Sequence, residues 1–466
     1  MKKYIIIVLS VLLCTSCEKY LDVKPYGRVV PKTAEEFSGL MHARLYQLDN
    51  GATTYILDNA NTLVSFDMAS GDDFEVALTT SSGQFMPTYL GSLIGGSMSS
   101  DAYQKLYELI RDCNIVINEM KEEGTQLSDI TRATAYALRG VAYYQLMRMY
   151  CEAPVKGQFA QQLGMSMVTN FDVEERPIRS AMQTTISQIE ADLQKAISYH
   201  PADDLYRFNE NVCKGYLARL YFWTEQWEKV VPLTQELLKT HPILTLDNFE
   251  KGMKFSGTLG SNQLIKAYRN SGTTDQEYTV GIQSLKYRPI SARFLSHFTI
   301  ADTANDLRYR MYVPQSRFAT KPLFCGLRSE EFLLMQAESY AHQGKDAEAL
   351  ASLNSLRAAR IKDVTPYTMS NLPAINAQEL IKVDAEGKSL TPLMAAILSE
   401  RRKELFLEGD RFFEMKRNGT PEFWSAFNGR KYTTYKYMYT FPIPYIDIQT
   451  IEGMQQNPGY TELVSQ

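Results

Sequence analysis

Apolar residues in YALRGVAYYQLMRMY, residues 136–150, fall at Leu138, Val141, Ala142, Leu146 and Met149. That spacing lines one face of a helix. A second helical stretch covers 212–239, and a third lies in FLLMQAESYAHQGKDAEALASLNSLRAAR. Earlier, Thr33-Ala34-Glu35-Glu36-Phe37 predicts a capped helix start, with Thr33 as N-cap and Glu36 three residues on. Residues 50–100 read as loop, dense in Gly, Ser and Thr, with GDDF at 71–74 and GSLIGGSMSS at 91–100. Between 245 and 326 the helical period is lost. NQLIKAYRN and EYTVGIQS predict short strands there, the second from the alternation of Tyr278, Val280 and Ile282. Alternation returns in YKYMYTFPIP, at Tyr435, Tyr437, Tyr439 and Phe441.

The helical stretches share a finer spacing. Leu217 and Ala218 fall on the Leu-Gly of a tetratricopeptide unit, Tyr221 on its Tyr, Val230 on the small residue of its second helix and Pro242 on its closing Pro. Ala337, Tyr340, Gly344, Ala349 and Leu353 repeat the pattern, and Gly140 with Tyr143 repeats its first part. A small residue lets paired helices approach, and the Tyr fills the space beside it. The copies are not contiguous, so no uninterrupted solenoid is encoded.

Composition narrows the function. The chain has 466 residues, 44% hydrophobic and 22% charged, which is an ordinary globular balance. A net charge of −4 gives no electrostatic footprint for nucleic acid. Tyrosine is abundant, at 29 against 3 Trp, and serves either packing between helices or a ligand-facing surface. At the N-terminus Lys2 and Lys3 precede an apolar run from Tyr4 to Leu13, too short to span a bilayer and suited to an export signal. Small residues Thr15 and Ser16 then precede Cys17, as in bacterial lipoprotein signals whose Cys is lipidated. Cys14 takes the place of the usual Leu three residues before it. Cys113, Cys151, Cys213 and Cys325 are scattered and read as buried small apolar residues, one disulfide among them remaining open.

No constellation for catalysis appears. Glu400 and Glu404 in ERRKELFLEGDRFFEMKRNG invite comparison with a glycosidase pair. They sit i,i+4 on one helix amid Arg401, Arg402 and Arg411, which would keep both ionised. With Leu398, Leu405 and Phe412 at helical spacing, the charges read as braces for packing. His42, His200, His241, His297 and His342 are isolated, and neither a Gly-rich phosphate loop nor G-x-S-x-G occurs. GDDF lacks the alternating Asp ladder of a calcium loop. The reading is a binding protein with no cofactor and no metal.

Several blocks occur together in one order: Ser16-Cys17-Glu18 through Leu21-Asp22 and Pro25; TAEEF; DAYQKLYELIRDCN with Tyr103, Tyr107 and Asn114; LRGVAYYQLMRMYCEAP; Asp306-Leu307-Arg308; LRSEEFLLMQAESY; ERRKELFLEGDRFFEMKR; PIP and QNPGY. In these the chain resembles the SusD/RagB-type outer-membrane lipoproteins of Bacteroidetes nutrient-uptake systems. The resemblance implies a mostly α fold of tetratricopeptide-like helix pairs, with an irregular loop-rich ligand-binding part and a few short strands. It divides the chain into a signal peptide (1–16), an N-terminal helical part (17–244) with binding loops at about 50–100, a variable segment (245–326) and a C-terminal part (327–466).

It further implies surface exposure on the outer membrane through a lipid on Cys17, and a SusC-like TonB-dependent transporter as partner. The ligand would be an oligosaccharide, or a peptide as in some branches, bound without catalysis. A glycosidase and a tetratricopeptide scaffold of the envelope are the rival readings. Glycan binders of the family commonly carry Trp in the loops before the DAYQKLY helix; here those loops offer Phe74, Phe85 and Tyr89. With Tyr268, Tyr278 and Tyr287 these are the expected stacking residues, and Asp72, Asp73 and Arg269 the expected polar ones.

Overall fold

Thr33 opens the first helix as its spacing requires: its hydroxyl accepts from the Glu36 amide at 3.3 Å, and the Glu36 carboxylate accepts from the Thr33 amide. A computed structural model describes residues 31–75, 97–170, 174–202, 204–254, 256–269, 274–427 and 429–460. The signal peptide expected at 1–16, the lipid-bearing Cys17 and the stacking residues Phe85 and Tyr89 lie outside the described residues.

Helix α1 (Ala34–Asp49) is followed by α2 (Ala60–Ser70), α3 (Ser97–Glu119), α4 (Gln126–Tyr150), α5 (Met182–Ser198), α6 (Glu210–Trp223) and α7 (Trp227–Thr240). The strands β1 (Leu163–Ser166) and β2 (Arg179–Ala181) pair antiparallel between α4 and α5. Helix α4 is the spine. It is buried on nearly every side and packs on α1, α3 and α5. Its Gly140 marks the close approach that the spacing predicts: a Cβ there would meet Leu193 Cγ at 3.1 Å and Asp192 Cβ at 3.2 Å.

The variable segment holds the short helices α8 (Phe249–Met253), α9 (Gln276–Ser284), α10 (Ala292–Leu295), α11 (Asp302–Asn305) and α12 (Leu307–Tyr312). Its expected first strand is present as β3 (Gln263–Lys266), paired antiparallel with β4 (Gly326–Arg328). The expected second strand is a helix instead. Asp275 caps α9, its carboxylate accepting from the Glu277 amide at 2.8 Å. Gly281 presses on the first turn of α2, where a Cβ would lie 2.9 Å from the Ala60 carbonyl. Burial thus follows Gly281 and Ser284 rather than the alternating apolar residues, and Ile282 is exposed. The described residues 50–75 also hold more order than their composition implies. Asn59 caps α2 by accepting from Thr62, and Leu63, Val64 and Met68 supply its buried face.

Beyond β4, α13 (Ser329–His342) and α14 (Asp346–Ala358) form another helix pair, followed by α15 (Pro392–Glu404) and α16 (Arg411–Arg417). Ala337, Tyr340, Ala349 and Leu353 share one buried cluster with Leu393 and Ile397 of α15. A hairpin of β5 (Phe423–Phe427) and β6 (Arg430–Thr434) and the short α17 (Tyr445–Thr450) complete the described chain. Cys113, Cys151, Cys213 and Cys325 are free and buried.

The ERRKEL residues brace the interior, with different partners from those the local sequence suggests. Glu404 is fully buried and accepts from Arg328 at 2.8 Å, from Arg360 at 2.9 Å and, more loosely, from Arg308 at 3.4 Å. Arg308 reaches Glu400 at 2.7 Å and Asp306 at 2.7 Å, while Arg360 also reaches Glu330 at 2.8 Å. Burial alone would raise the Glu404 carboxyl, yet the Arg360, Arg328 and Arg308 charges hold it far below the carboxylate range. Breaking one partner of such a lattice leaves uncompensated charge inside. Glu404→Gln is therefore expected to lower unfolding free energy by about 3–5 kcal/mol, read as a fall in the urea midpoint with an unchanged slope.

Candidate functional site

Residues 71–75 leave α2 and are zipped to 288–293 by main-chain bonds. The Ser291 amide donates to the Asp73 carbonyl at 2.8 Å, and the Glu75 amide to Pro289 at 2.8 Å. Asp72 and Asp73 then turn inward. Asp72 accepts from Arg411 Nε at 2.7 Å and lies at ion-pair distance, 3.1 Å, from Arg402 Nη2, and Asp73 accepts from Arg402 Nε at 2.8 Å. Glu379 closes the cluster on both guanidiniums, at 2.8 Å and 2.7 Å, and on His297 at 3.0 Å. Burial would raise the Asp72 carboxyl, but Arg402 and Arg411 bring it down to about 2. Both aspartates are buried with their oxygens turned to Arg402 and Arg411, away from the ligand-orienting role expected of them.

Phe74 is also internal, its ring 5.6 Å from that of Phe406. Tyr268 is buried too. Its hydroxyl accepts from the Ala60 amide at the start of α2, and its ring lies over Gly51, where any Cβ would clash. Tyr268 is a clamp on α2, not a platform. Tyr278 packs edge-on against it at 5.7 Å and is half-buried, as is Arg269. Tyr287 is 37% exposed. Of the described candidates, Tyr278 in the first turn of α9 and Tyr287 just beyond its last turn, with Arg269, keep surface that a ligand can touch.

A second surface is one that the sequence does not mark as a site. Tyr103 and Tyr107, one turn apart on α3, face residues 444–454 across a groove of about 520 Å³. Their rings lie 4.7 Å apart. The Tyr107 hydroxyl donates to the Ser166 carbonyl at 2.9 Å, whereas the buried Ser166 hydroxyl has no partner. Asp447 lines the same groove, its carboxyl raised by burial against the opposing Tyr103 hydroxyl. Exposed Ile446 stands at the rim. An aromatic wall with a carboxylate beside it can hold a polyhydroxylated ring. The available signal is the i,i+4 tyrosine pair, which marks one helix face but does not say what that face meets.

Among the described residues no cluster of His, Cys, Asp and Glu is arranged to hold a metal ion, and no helix is long and apolar enough to cross a membrane. The SusD family model matches residues 314–460, and a SusD-like model described as starch-binding and associating with the outer membrane matches residues 19–222. The chain belongs to the SusD family. Its fold agrees with solved SusD structures. A SusD-like carbohydrate-binding protein from Bacteroides vulgatus aligns with TM-score 0.68 at 18% identity, over 91% of this chain and 98% of that one. A SusD superfamily protein from Bacteroides fragilis aligns with TM-score 0.69 at 18% identity, over 92% and 100%. A laminarin-binding SusD-like protein aligns with TM-score 0.57 at 17% identity, over 92% and 100%. No curated protein sequence matches the chain significantly.

In this SusD-family chain α2 underlies the candidate surface, and a single carboxyl ties it to the turn before α16. Asp67 accepts from the Gly409 amide at 3.1 Å, and its other oxygen is buried without a partner. Burial raises its carboxyl from 3.8 to about 8. The folded chain therefore holds this proton more tightly than the unfolded chain, so its contribution is complete below the unfolded value and is lost as pH rises through about 8. Urea midpoints of the wild type are expected to fall relative to Asp67→Asn between pH 5 and 8; parallel curves would show that Asp67 does not titrate this way.

Proposed function

We propose that the chain is a non-catalytic lipoprotein of the outer-membrane surface, which captures an oligosaccharide and passes it to a SusC-like TonB-dependent transporter. One observation carries the reading: the match of residues 19–222 to a family described as starch-binding and associating with the outer membrane. The laminarin-binding relative of the same fold supports a glucan or related glycan as ligand. In this proposal Cys17 bears the lipid, and Tyr278, Tyr287 and Arg269 contact the ligand together with Phe85 and Tyr89.

The mechanism is capture by stacking. Sugar C–H faces lie on tyrosine rings while hydroxyls bond to ring hydroxyls and to Arg269, each ring contributing on the order of 1 kcal/mol beyond area burial. Non-catalytic capture needs no acid–base pair, which accords with the ion pairing of Glu400 and Glu404. A glycan and peptide array identifies the ligand class. Affinity for the best glycan is expected to fall about tenfold or more in Tyr278→Ala/Tyr287→Ala. If that variant binds normally while Tyr103→Ala does not, the groove on α3 is the site; peptide binding alone would reverse the glycan assignment.

Membrane attachment has its own test. Cys17→Ser is expected to move the protein from the membrane fraction to the soluble fraction, because the acyl chains contribute roughly 0.8 kcal/mol per buried CH₂. Retention in the membrane fraction would contradict the lipid anchor.

A further inference from the structure

Under α2 lies a cavity of about 120 Å³, between that helix, the last turns of α4 and the turn joining α15 to α16. That is well above the roughly 10–15 Å³ needed to admit one water, so several small polar groups fit. The charges on its wall are almost all spoken for. Arg219 pairs with Glu331 through two bonds, at 2.8 Å and 2.6 Å. Glu408 is held by Arg328 and Lys321, and Asp410 by Arg401 at 2.9 Å.

Arg148 is different. Its guanidinium carbon lies over the Phe413 ring, 3.7 Å from the centroid. Among the described residues it has no hydrogen-bond acceptor and no carboxylate at ion-pair distance, and its Nε is buried without a partner. Asp58, on the same wall, accepts from the Tyr55 amide at 2.9 Å rather than from Arg148. Asp58 is near enough for the Arg148 charge to lower its carboxyl but makes no bond to the guanidinium, and a partly buried cation whose donors are unmet favours a further acceptor.

We propose that this cavity binds a small organic monocarboxylate, whose two oxygens pair with the Arg148 guanidinium while its skeleton lies against Phe66 and Phe413. The planar fork of arginine matches a carboxylate in two parallel bonds. A single guanidinium fork takes one carboxylate, and the Asp58 carboxyl beside it disfavours a dianion. Phe66 and Phe413 are stacked at 6.0 Å and present apolar surface beside the charge. A sugar acid and a simple aliphatic acid share this chemistry, and the probes below separate them. The site is distinct from the glycan surface and does not depend on it.

The test is isothermal titration of the full chain with sodium D-galacturonate, sodium acetate and inorganic phosphate, with neutral D-galactose as control. A carboxylate is expected to bind, galactose not to compete with it, and Arg148→Gln to weaken it at least about tenfold. Arg148→Lys, which keeps the charge and loses the fork, is expected to fall between the two. Tighter galacturonate than acetate assigns a sugar acid; equal affinities assign the carboxylate alone. Absence of carboxylate binding, unchanged affinity in Arg148→Gln or a preference for phosphate overturns the proposal. Because Arg148 packs on Phe413, a galacturonate-soaked crystal of the wild type tests the site without substitution: density on the guanidinium supports it, and density only elsewhere overturns it. Carboxylate binding lost in Arg148→Gln, with array glycans still bound, separates this site from the glycan reading.

Discussion

Charge taken out of water must be paired within the fold, and in this chain that requirement organises the interior. Glu404 draws in Arg308 from the variable segment, Arg328 from β4 and Arg360 from the end of α14. Each guanidinium carries a second obligation, to Asp306, Glu408 or Glu330. Desolvating these groups is expensive, so the lattice adds little net stability over an apolar core of the same volume. What it adds is discrimination: a register in which any one partner is missing strands the others.

The same rule reaches the candidate surface. Arg402 and Arg411 belong to the ERRKEL motif, yet they hold Asp72, Asp73 and Glu379. The C-terminal part thereby sets the position of a segment far upstream in sequence. Helix α9, with Tyr278 in its first turn and Tyr287 just beyond its last, rests on α2 through Gly281 and Tyr268.

The helix pairs are legible in the sequence because small-x-x-Tyr spacing reports a contact made within each pair. Gly140, Ala337 and Tyr340 sit where that spacing puts them. The buried role of Glu400 and Glu404 is legible too, from apolar neighbours at helical period, although their partners lie in remote segments that a local window cannot show. Residues 276–284 mislead because alternation at Tyr278, Val280 and Ile282 is equally compatible with a short capped helix packed through its glycine. Asp72, Asp73, Phe74 and Tyr268 illustrate a more general limit. Residue type distinguishes neither a stacking aromatic from a packing one nor a ligand carboxylate from an ion-pair carboxylate; only the distant partner does. The groove at Tyr103 and Tyr107 is illegible for the same reason, its opposite wall coming from residues 444–454.

The pairing of β3 with β4 means that the long excursion between them leaves and re-enters the helical framework at one doorway. A segment attached in this way can be exchanged between relatives as a cassette, with the helix pairs on either side keeping their contacts. Asp306 and Arg308 restrict that freedom. Arg308 travels inside the cassette with Asp306 bound to it, while its other partners Glu400 and Glu404 stay in the frame, so a graft that changes the surface loops must carry this Asp-x-Arg key unaltered.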